Sequence, residues 1–357
     1  HHALIVTRAD IARVFPETIF HTERPILRTS PAPMLLLSRM VRQAGVTVVL
    51  TGEGADEMFA GYDLFREARV RRFWARQPES RWRPRLLDRL YPYLARSPVS
   101  QRAIALRFFG KGLDRASQPG FGHDVRWRGA AALKRFLTPE ARVSADVDAV
   151  ADLTGGLPPA FRSWSALAQD QYIEIVTLMS GYLLSSQGDR VLMANSVEGR
   201  FPFLDRQVAR LAESLPASYK LAGLDEKHVL KRAARETVPP EILERPKQPF
   251  RAPDALSFAD DAAREWVDAV ASREAVTAAG IFNPQAAEQL IAKCRARAAS
   301  GQFSNADNMA VVALLSTQLL HEQFIRQRPT ATAPALRTIV DRLAPSGDAT
   351  ATAASVR

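Results

Sequence analysis

The stretch Val46-Thr-Val-Val-Leu-Thr-Gly-Glu-Gly-Ala-Asp-Glu-Met-Phe-Ala-Gly-Tyr62 decides how the rest of the chain is read. Its opening run, Val46 to Leu50, is apolar and mostly β-branched, which predicts a buried parallel strand. Two glycines and three carboxylates follow at once: Gly52, Glu53, Gly54, Asp56 and Glu57. In open α/β sheets ligands bind at this C-terminal edge of the strands, and Gly52 and Gly54 allow a turn sharp enough to aim Glu53, Asp56 and Glu57 into one cleft. Amides of a glycine loop attract phosphate and three carboxylates repel it. A Mg²⁺ carried between a carboxylate and nucleotide phosphates reconciles the two. The plainer alternative is an acidic surface turn. Glu57 stands where GxGxxG needs its third glycine, and no GxxxxGK[ST] occurs, so neither of those phosphate-binding loops is present.

Upstream, Ala3 to Val6 reads as the end of a strand. Arg8 to Phe20 carries Ile11, Val14, Phe15 and Ile19 at helical spacing, with a kink or break expected at Pro16. After a Pro-rich passage comes an amphipathic helix from Met34 to Gln43, closed by Gly45. Strand, helix, helix, strand is half of a doubly wound α/β layer. The other half is expected before His1.

Downstream, Asp63 to Val143 is arginine-rich and broken by Pro and Gly, a pattern read as a helical insertion. From Phe161 the pattern is helical, with Trp164, Leu167, Ala168, Tyr172, Ile175, Leu178 and Met179 expected on one buried face and Gly181 to Ser186 leading out of it. In Gly188 to Asp205, Asp189, Arg190, Glu198, Arg200 and Asp205 alternate with apolar groups. Glu198 and Arg200 are read as an ion-paired turn between helices, and Asp205 as the cap of a helix over residues 206–215. Asp225 precedes a helix expected over residues 226–236, with Lys227 and Lys231 one turn apart; they mark a solvated face or supply charge to phosphate. In Arg245-Pro-Lys-Gln-Pro-Phe250 two prolines stiffen a loop that displays Lys247, as a phosphate clamp or an exposed basic loop. Helices are expected over residues 265–282, 284–300 and 305–327. The Thr-, Ala- and Pro-rich tail beyond Arg328 is expected to be disordered.

The chain has 357 residues, 46 % of them hydrophobic and 24 % charged, an ordinary balance for a folded water-facing protein. No apolar run approaches the length of a membrane span. One cysteine, Cys294, excludes an internal disulfide and fits a reducing, cytoplasmic setting; its basic surroundings place it on the solvent side of a helix. The net charge of +10 is concentrated between Arg66 and Arg89, where Trp74 and Trp82 are interleaved with arginines. Nucleic-acid stacking is the weaker reading there, because no recognised module accompanies the patch.

Taken in order, TGEGADEMFAGY, DRVLMANSVEGRFPFLD, DEKHVLKRA and RPKQPF resemble the synthetase domain of glutamine-dependent asparagine synthetases. The resemblance runs from about Ala3 to Phe250, apart from the insertion. It implies a partial doubly wound ATP-pyrophosphatase α/β fold with a large helical C-terminal half, divided as residues 1–62 (core), 63–143 (insertion), 144–327 (helical remainder) and 328–357 (tail). It implies ATP and Mg²⁺, aspartate as acceptor and glutamine-derived ammonia as nucleophile, with an adenylate intermediate. Asp56 matches the family's Mg²⁺ ligand, Lys247 its phosphate-contacting lysine and Glu53 the glutamate near the adenylate, a proposed base for ammonia. Gly52 and Gly54 belong to the nucleotide loop; Lys227, Asp189 and Arg28 take supporting substrate-binding roles.

The family's SGGxDS loop and its cysteine-led glutaminase domain do not occur in this sequence. Both are expected upstream in cis, and without them the chain by itself is expected to be inactive. A homodimer is a further expectation. Where some members carry Thr-Thr-x-Arg-Ala-Ser, this chain reads Pro25-Ile-Leu-Arg28-Thr-Ser30, which keeps Arg28 and Ser30 but loses both leading threonines. Two alternatives stand beside aspartate amidation: a relative that amidates another carboxylate or closes a lactam or peptide ring, and a non-catalytic basic interaction module.

Overall fold

The strand after Gly45 forms, but shorter and less covered than its sequence predicts. In the computed structural model, which describes residues 1–91, 102–144, 148–245, 247–301 and 303–330, β1 (Val48–Leu50) pairs in parallel with β2 (Glu198–Arg200). The register is Val48↔Glu198, Val49↔Gly199 and Leu50↔Arg200. Two flanking bonds extend it: Glu198 N–H donates to Thr47 O at 2.8 Å and Thr51 N–H to Arg200 O at 2.9 Å. Among the described residues these two strands are the whole sheet. A buried parallel strand needs neighbours on both edges and helices on both faces. β1 has one neighbour, and Leu50 is 73 % exposed. Glu198 and Arg200 are therefore a strand rather than a turn, although their predicted ion pair is present at 2.8 Å. No strand forms over Ala3 to Val6.

Most of the protein is helical. Helix α1 (Arg8–Thr22) begins with a capping box, in which Thr7 and Asp10 satisfy each other's backbone N–H groups. It runs through Pro16 without a break. Proline removes the N–H that Ala12 O would accept, and the indole Nε1–H of Trp266 donates to that carbonyl instead, at 3.1 Å. Helix α2 (Pro31–Gln43) starts on prolines, which need no N–H partner there. Ser38 Oγ donates to Val191 O at 2.7 Å and Asn195 donates to Ser38, so α2 braces the segment that delivers β2.

The main core joins the two ends of the chain. Ile11, Phe15 and Ile19 of α1 pack with Phe258, Val267, Val311, Val312, Leu314 and Leu315, all buried. The helix Asn305–Leu320 is apolar on nearly every side and lies inside, as expected of an all-round hydrophobic helix. The single helix expected over residues 265–282 is two, Asp261–Val270 and Arg273–Ala279, because Ser272 caps the second through Ala275 N–H. Cys294 is not on a solvent face. It is buried, its Sγ donates to Ala255 O, and burial pushes the thiol up to about 11.

A second correction concerns the helix Ala166–Glu174, which continues in wide π-type turns, Ile175–Leu183 and Ser185–Asp189, rather than leaving through Gly181. Its buried face is mostly polar: Asp170, Gln171 and Glu174, with Ile173. Asp170 receives Arg72 and Glu174 receives His123 and Arg126, so this face is tied to the arginine-rich segment. No helix among the described residues is long and apolar enough to cross a membrane. Of the tail, residues 331–357 lie outside the described residues.

Candidate active site

The loop after β1 turns at once into α3 (Ala55–Met58), a single helical turn, before α4 (Asp63–Ala75). Gly54 makes the turn. Its φ is +93°, and an added Cβ would stand 2.3 Å from Leu204 Cδ2, so neither conformation nor space admits a side chain. Gly52 has neither constraint.

Asp56, in the first turn of α3, is the centre of the site. Lys227 Nζ lies 3.0 Å from its Oδ1 and Lys247 Nζ 2.5 Å from its Oδ2, so two cations share one carboxylate. The side chains are 14 %, 24 % and 24 % exposed, shielded enough to interact strongly and open enough to exchange partners. Backbone geometry aims them. Gly61 lies against the Asp56 carboxylate: an added Cβ would stand 1.9 Å from Oδ1 and 3.0 Å from Lys227 Cδ. Lys227 is not inside the helix expected from Glu226. It precedes a shorter one, His228–Ala233, in the left-handed conformation at φ 51°, which a lysine adopts only when its surroundings hold it there. The two lysines of that segment therefore part company: Lys231 turns to Asp225 and Glu226, at 2.7 and 3.3 Å. Lys247 is fixed by its own N–H, which donates to the buried Glu226 carboxylate at 3.3 Å, and its ammonium lies 5.6 Å from the centre of the Tyr62 ring. Of the two prolines expected to stiffen its loop, Pro246 lies outside the described residues.

The other two carboxylates are shifted by burial, and Glu57 sits deepest. Burial pushes the Glu53 carboxyl above its ordinary range, with Lys247 opposing the shift and Asp56 adding to it. Glu57 is 1 % exposed; burial raises it too, against the hydrogen bond from Tyr62 Oη at 2.7 Å. Burial thus disfavours the ionised form of Glu53 and Glu57, and two ammonium groups face Asp56.

Sequence reasoning missed Gln171. Its Nε2 donates to Glu57 O and Met58 O at 2.5 and 2.9 Å, which closes the C-terminal end of α3 from outside. The signal available was the spacing of Asp170, Gln171 and Glu174, which puts three polar groups on one helical face.

Two predicted residues do not join the cluster. Arg28 donates to Asp254 Oδ2 at 2.8 Å and to Asn305 Oδ1 at 2.5 Å, pinning the start of α2 to the C-terminal half. Asp189 is exposed, and among the described residues its side chain has no hydrogen bond or ion pair. Asp205 caps its helix as predicted, through Gln207 and Val208 N–H.

The comparison with protein families bears on the same residues. The family model described as asparagine synthase matches residues 1–322, which takes in every element of this site. The chain belongs to the asparagine synthase family. A Mycobacterium tuberculosis protein provisionally named asparagine synthetase [glutamine-hydrolyzing] is 29 % identical over 253 residues, 71 % of this chain and 37 % of its own. Asparagine synthetase [glutamine-hydrolyzing] 1 of Bacillus subtilis is 28 % identical over 268 residues, 74 % of this chain and 39 % of its own. Amidase chyE of Penicillium rubens is 25 % identical over 267 residues, 71 % and 39 % of the two chains. The chain spans less than two-fifths of the length of these relatives, and it corresponds to a C-terminal synthetase domain of the family.

The donor set fits Mg²⁺ only in one form. No group of three or more His, Cys, Asp or Glu among the described residues could hold a bare ion. Mg²⁺ seldom uses an all-protein cage: it binds through one or two carboxylates and the oxygens of a nucleotide's phosphates. One carboxylate flanked by two lysines matches that second arrangement.

Proposed function

We propose that this chain is the synthetase part of an enzyme that activates a carboxylate with ATP and converts it to an amide, with the aspartate side chain as acceptor and glutamine-derived ammonia as nucleophile. The observation that carries the reading is Asp56 held between Lys227 and Lys247 on the loop that follows β1. In the proposed ATP-pyrophosphatase arrangement, residues 1–62 belong to the α/β core, 63–143 are inserted, 144–327 are the helical remainder and 328–357 the tail.

Each residue then has a task that its surroundings suit. Lys227 and Lys247 exchange Asp56 for phosphate oxygens and neutralise pyrophosphate as it leaves, when its charge is greatest. Asp56 would hold Mg²⁺ together with those phosphates, and the ion would supply further charge neutralisation at the leaving group. Glu53, raised by burial, accepts a proton from the incoming nitrogen; a carboxyl shifted toward the working pH is better matched to that transfer than an ordinary one. Gly54 brings the backbone close to the Phe203–Leu204 segment and sets the direction in which Glu53 and Asp56 leave the strand.

A second acceptor is favoured by one observation. The Arg28 guanidinium is engaged by Asp254 and Asn305, so the group matched to the substrate carboxylate already has partners. A different acid in aspartate's place fits that geometry. ATP/pyrophosphate exchange in the full-length protein, run with aspartate and then with a panel of other carboxylic acids, decides the matter. Aspartate-dependent exchange is expected. Exchange driven by another acid replaces the substrate and keeps the chemistry; no exchange with any acid overturns the reading.

A further inference from the structure

Seven of the nine arginines between Arg66 and Arg89 divide into two sets. One set is spent inside the protein. Arg66 donates to Asp63 and Arg89 O, Arg69 to Leu221 O, Arg72 to Asp170 and Arg83 to Phe73 O. Arg71 is buried outright and donates to three carbonyls, those of Phe109, Phe121 and Lys111, so it works as a strut between α4 and the chain after α5 (Arg102–Phe109). Structure, not nucleic acid, accounts for these residues.

The second set gathers around one groove. Arg81 and Arg85 join Arg102, Arg107 and Lys111 in lining a cavity of about 730 Å³ that is separate from Asp56, Lys227 and Lys247. All five are exposed. Among the described residues the only carboxylate within ion-pair distance of any of them is Asp88, 3.9 Å from Arg102. Five like charges around one groove repel one another, and a bound polyanion relieves that repulsion.

The groove is also built, and its floor is not polar. Trp74 is fixed by donating its indole N–H to Pro78 O at 2.9 Å, and it packs with Val70, Leu87, Leu90, Ala105 and Phe109. Gly110 lets the end of α5 lie flat upon it, since a Cβ there would stand 2.8 Å from Trp74 Cη2. On the rim Arg85 stacks over Trp82, 4.3 Å from the ring centre, which preorganises its guanidinium. Guanidinium forks match phosphate oxygens in pairs, and an open groove of this size has room for a molecule of nucleotide size with its body against the apolar floor. We infer that this groove is a second ligand site, which binds an organic anion carrying two or more phosphate groups. The inference does not depend on the reaction proposed above.

The test is calorimetric titration of adenosine 5′-diphosphate into the full-length protein, in EDTA and low salt so that no metal-dependent binding contributes. Three variants are compared with wild type: Arg107→Glu with Lys111→Glu, the neutral pair Arg107→Gln with Lys111→Gln, and Lys247→Ala. Saturable binding is expected, weakened by about tenfold or more on charge reversal and by less in the neutral pair; the groove's binding persists in Lys247→Ala, which removes only a component that belongs to the Asp56 site. Should the reversed pair fail to fold, the neutral pair carries the comparison. Binding that both groove variants retain, or that only Lys247→Ala removes, overturns the proposal. So does DNA that binds in a salt-dependent way and that the diphosphate fails to displace, since the groove would then be a nucleic-acid surface. ATP/pyrophosphate exchange measured on the same preparations with Mg²⁺ supplied in place of EDTA keeps the two questions apart: a wild type without exchange defeats the proposed reaction and leaves the groove result standing.

Discussion

Lys247 Nζ lies 2.5 Å from Asp56 Oδ2 across 191 positions of sequence, and Lys227 Nζ holds the other oxygen of the same carboxylate at 3.0 Å. The contact closes the site, because it joins the loop after β1 to a segment of the helical half that sheet geometry does not otherwise constrain. Three charges in a row leave a net positive face. That face accepts phosphate better than the acidic reading of the loop suggests.

Removal of one lysine separates binding from folding. In Lys247→Ala, Asp56 keeps Lys227, so no buried charge is left alone and the thermal midpoint should move little. ATP/pyrophosphate exchange should fall by about a hundredfold, the loss typical of one transition-state donor. Exchange at the wild-type rate would take Lys247 out of the reaction.

Gly61 offers a sharper test of geometry. An alanine methyl there would stand 1.9 Å from Asp56 Oδ1 and 2.9 Å from its Cγ, so Asp56 cannot stay where both lysines hold it. Gly61→Ala should therefore lose exchange activity well out of proportion to its change in thermal midpoint. A variant that keeps full activity would show that the Asp56–Lys227 pair is dispensable.

Much of this was legible in the sequence, and the limits have physical causes. The strand, its glycine turn and the acidic loop can be read because local steric rules govern them. That Asp56 meets Lys227 and Lys247 cannot, since nothing local links residue 56 to residues 227 and 247. The helix expected from Glu226 starts two residues later, at His228, because propensity does not register the left-handed turn at Lys227. Periodicity likewise chose the wrong face of Ala166–Glu174: apolar spacing assumes that polar residues face water, and Asp170, Gln171 and Glu174 are inside because each has a specific partner. Pro16 misleads for the same reason, its broken hydrogen bond being replaced by a tryptophan 250 positions away.

Glu57 gives a pH dependence with a definite sign. Burial raises its pKa above that of the unfolded chain, so the folded state binds the proton more tightly. Its contribution to stability is fully present below the unfolded value, about 4.3, and is lost as pH rises through the higher folded value. Glu57→Gln keeps an acceptor for Tyr62 Oη and cannot ionise. The difference in thermal midpoint, variant minus wild type, should be small in acid, grow more positive as pH rises from the unfolded value through the folded one, and level off above it. A difference that stays flat with pH would mean that the buried carboxyl titrates as it does in water.

Gln171 holds the loop through two backbone carbonyls, and its substitutions should rank accordingly. The helix Ala55–Met58 is one turn long and cannot satisfy its own terminal carbonyls, so Glu57 O and Met58 O depend on the Gln171 amide. Gln171→Met fills the same volume without a donor and should cost about 1–3 kcal/mol in denaturant melts, the range for buried groups left unpaired. Gln171→Glu should be worse still while ionised, because it sets a carboxylate against two carbonyls, and it should recover part of the loss in acid as the new carboxyl gains a proton to donate. A structural role elsewhere in the helix would penalise both variants without that recovery. Partial rescue at low pH is thus the measurement that assigns the hydrogen bond, rather than the volume, to the support of Asp56.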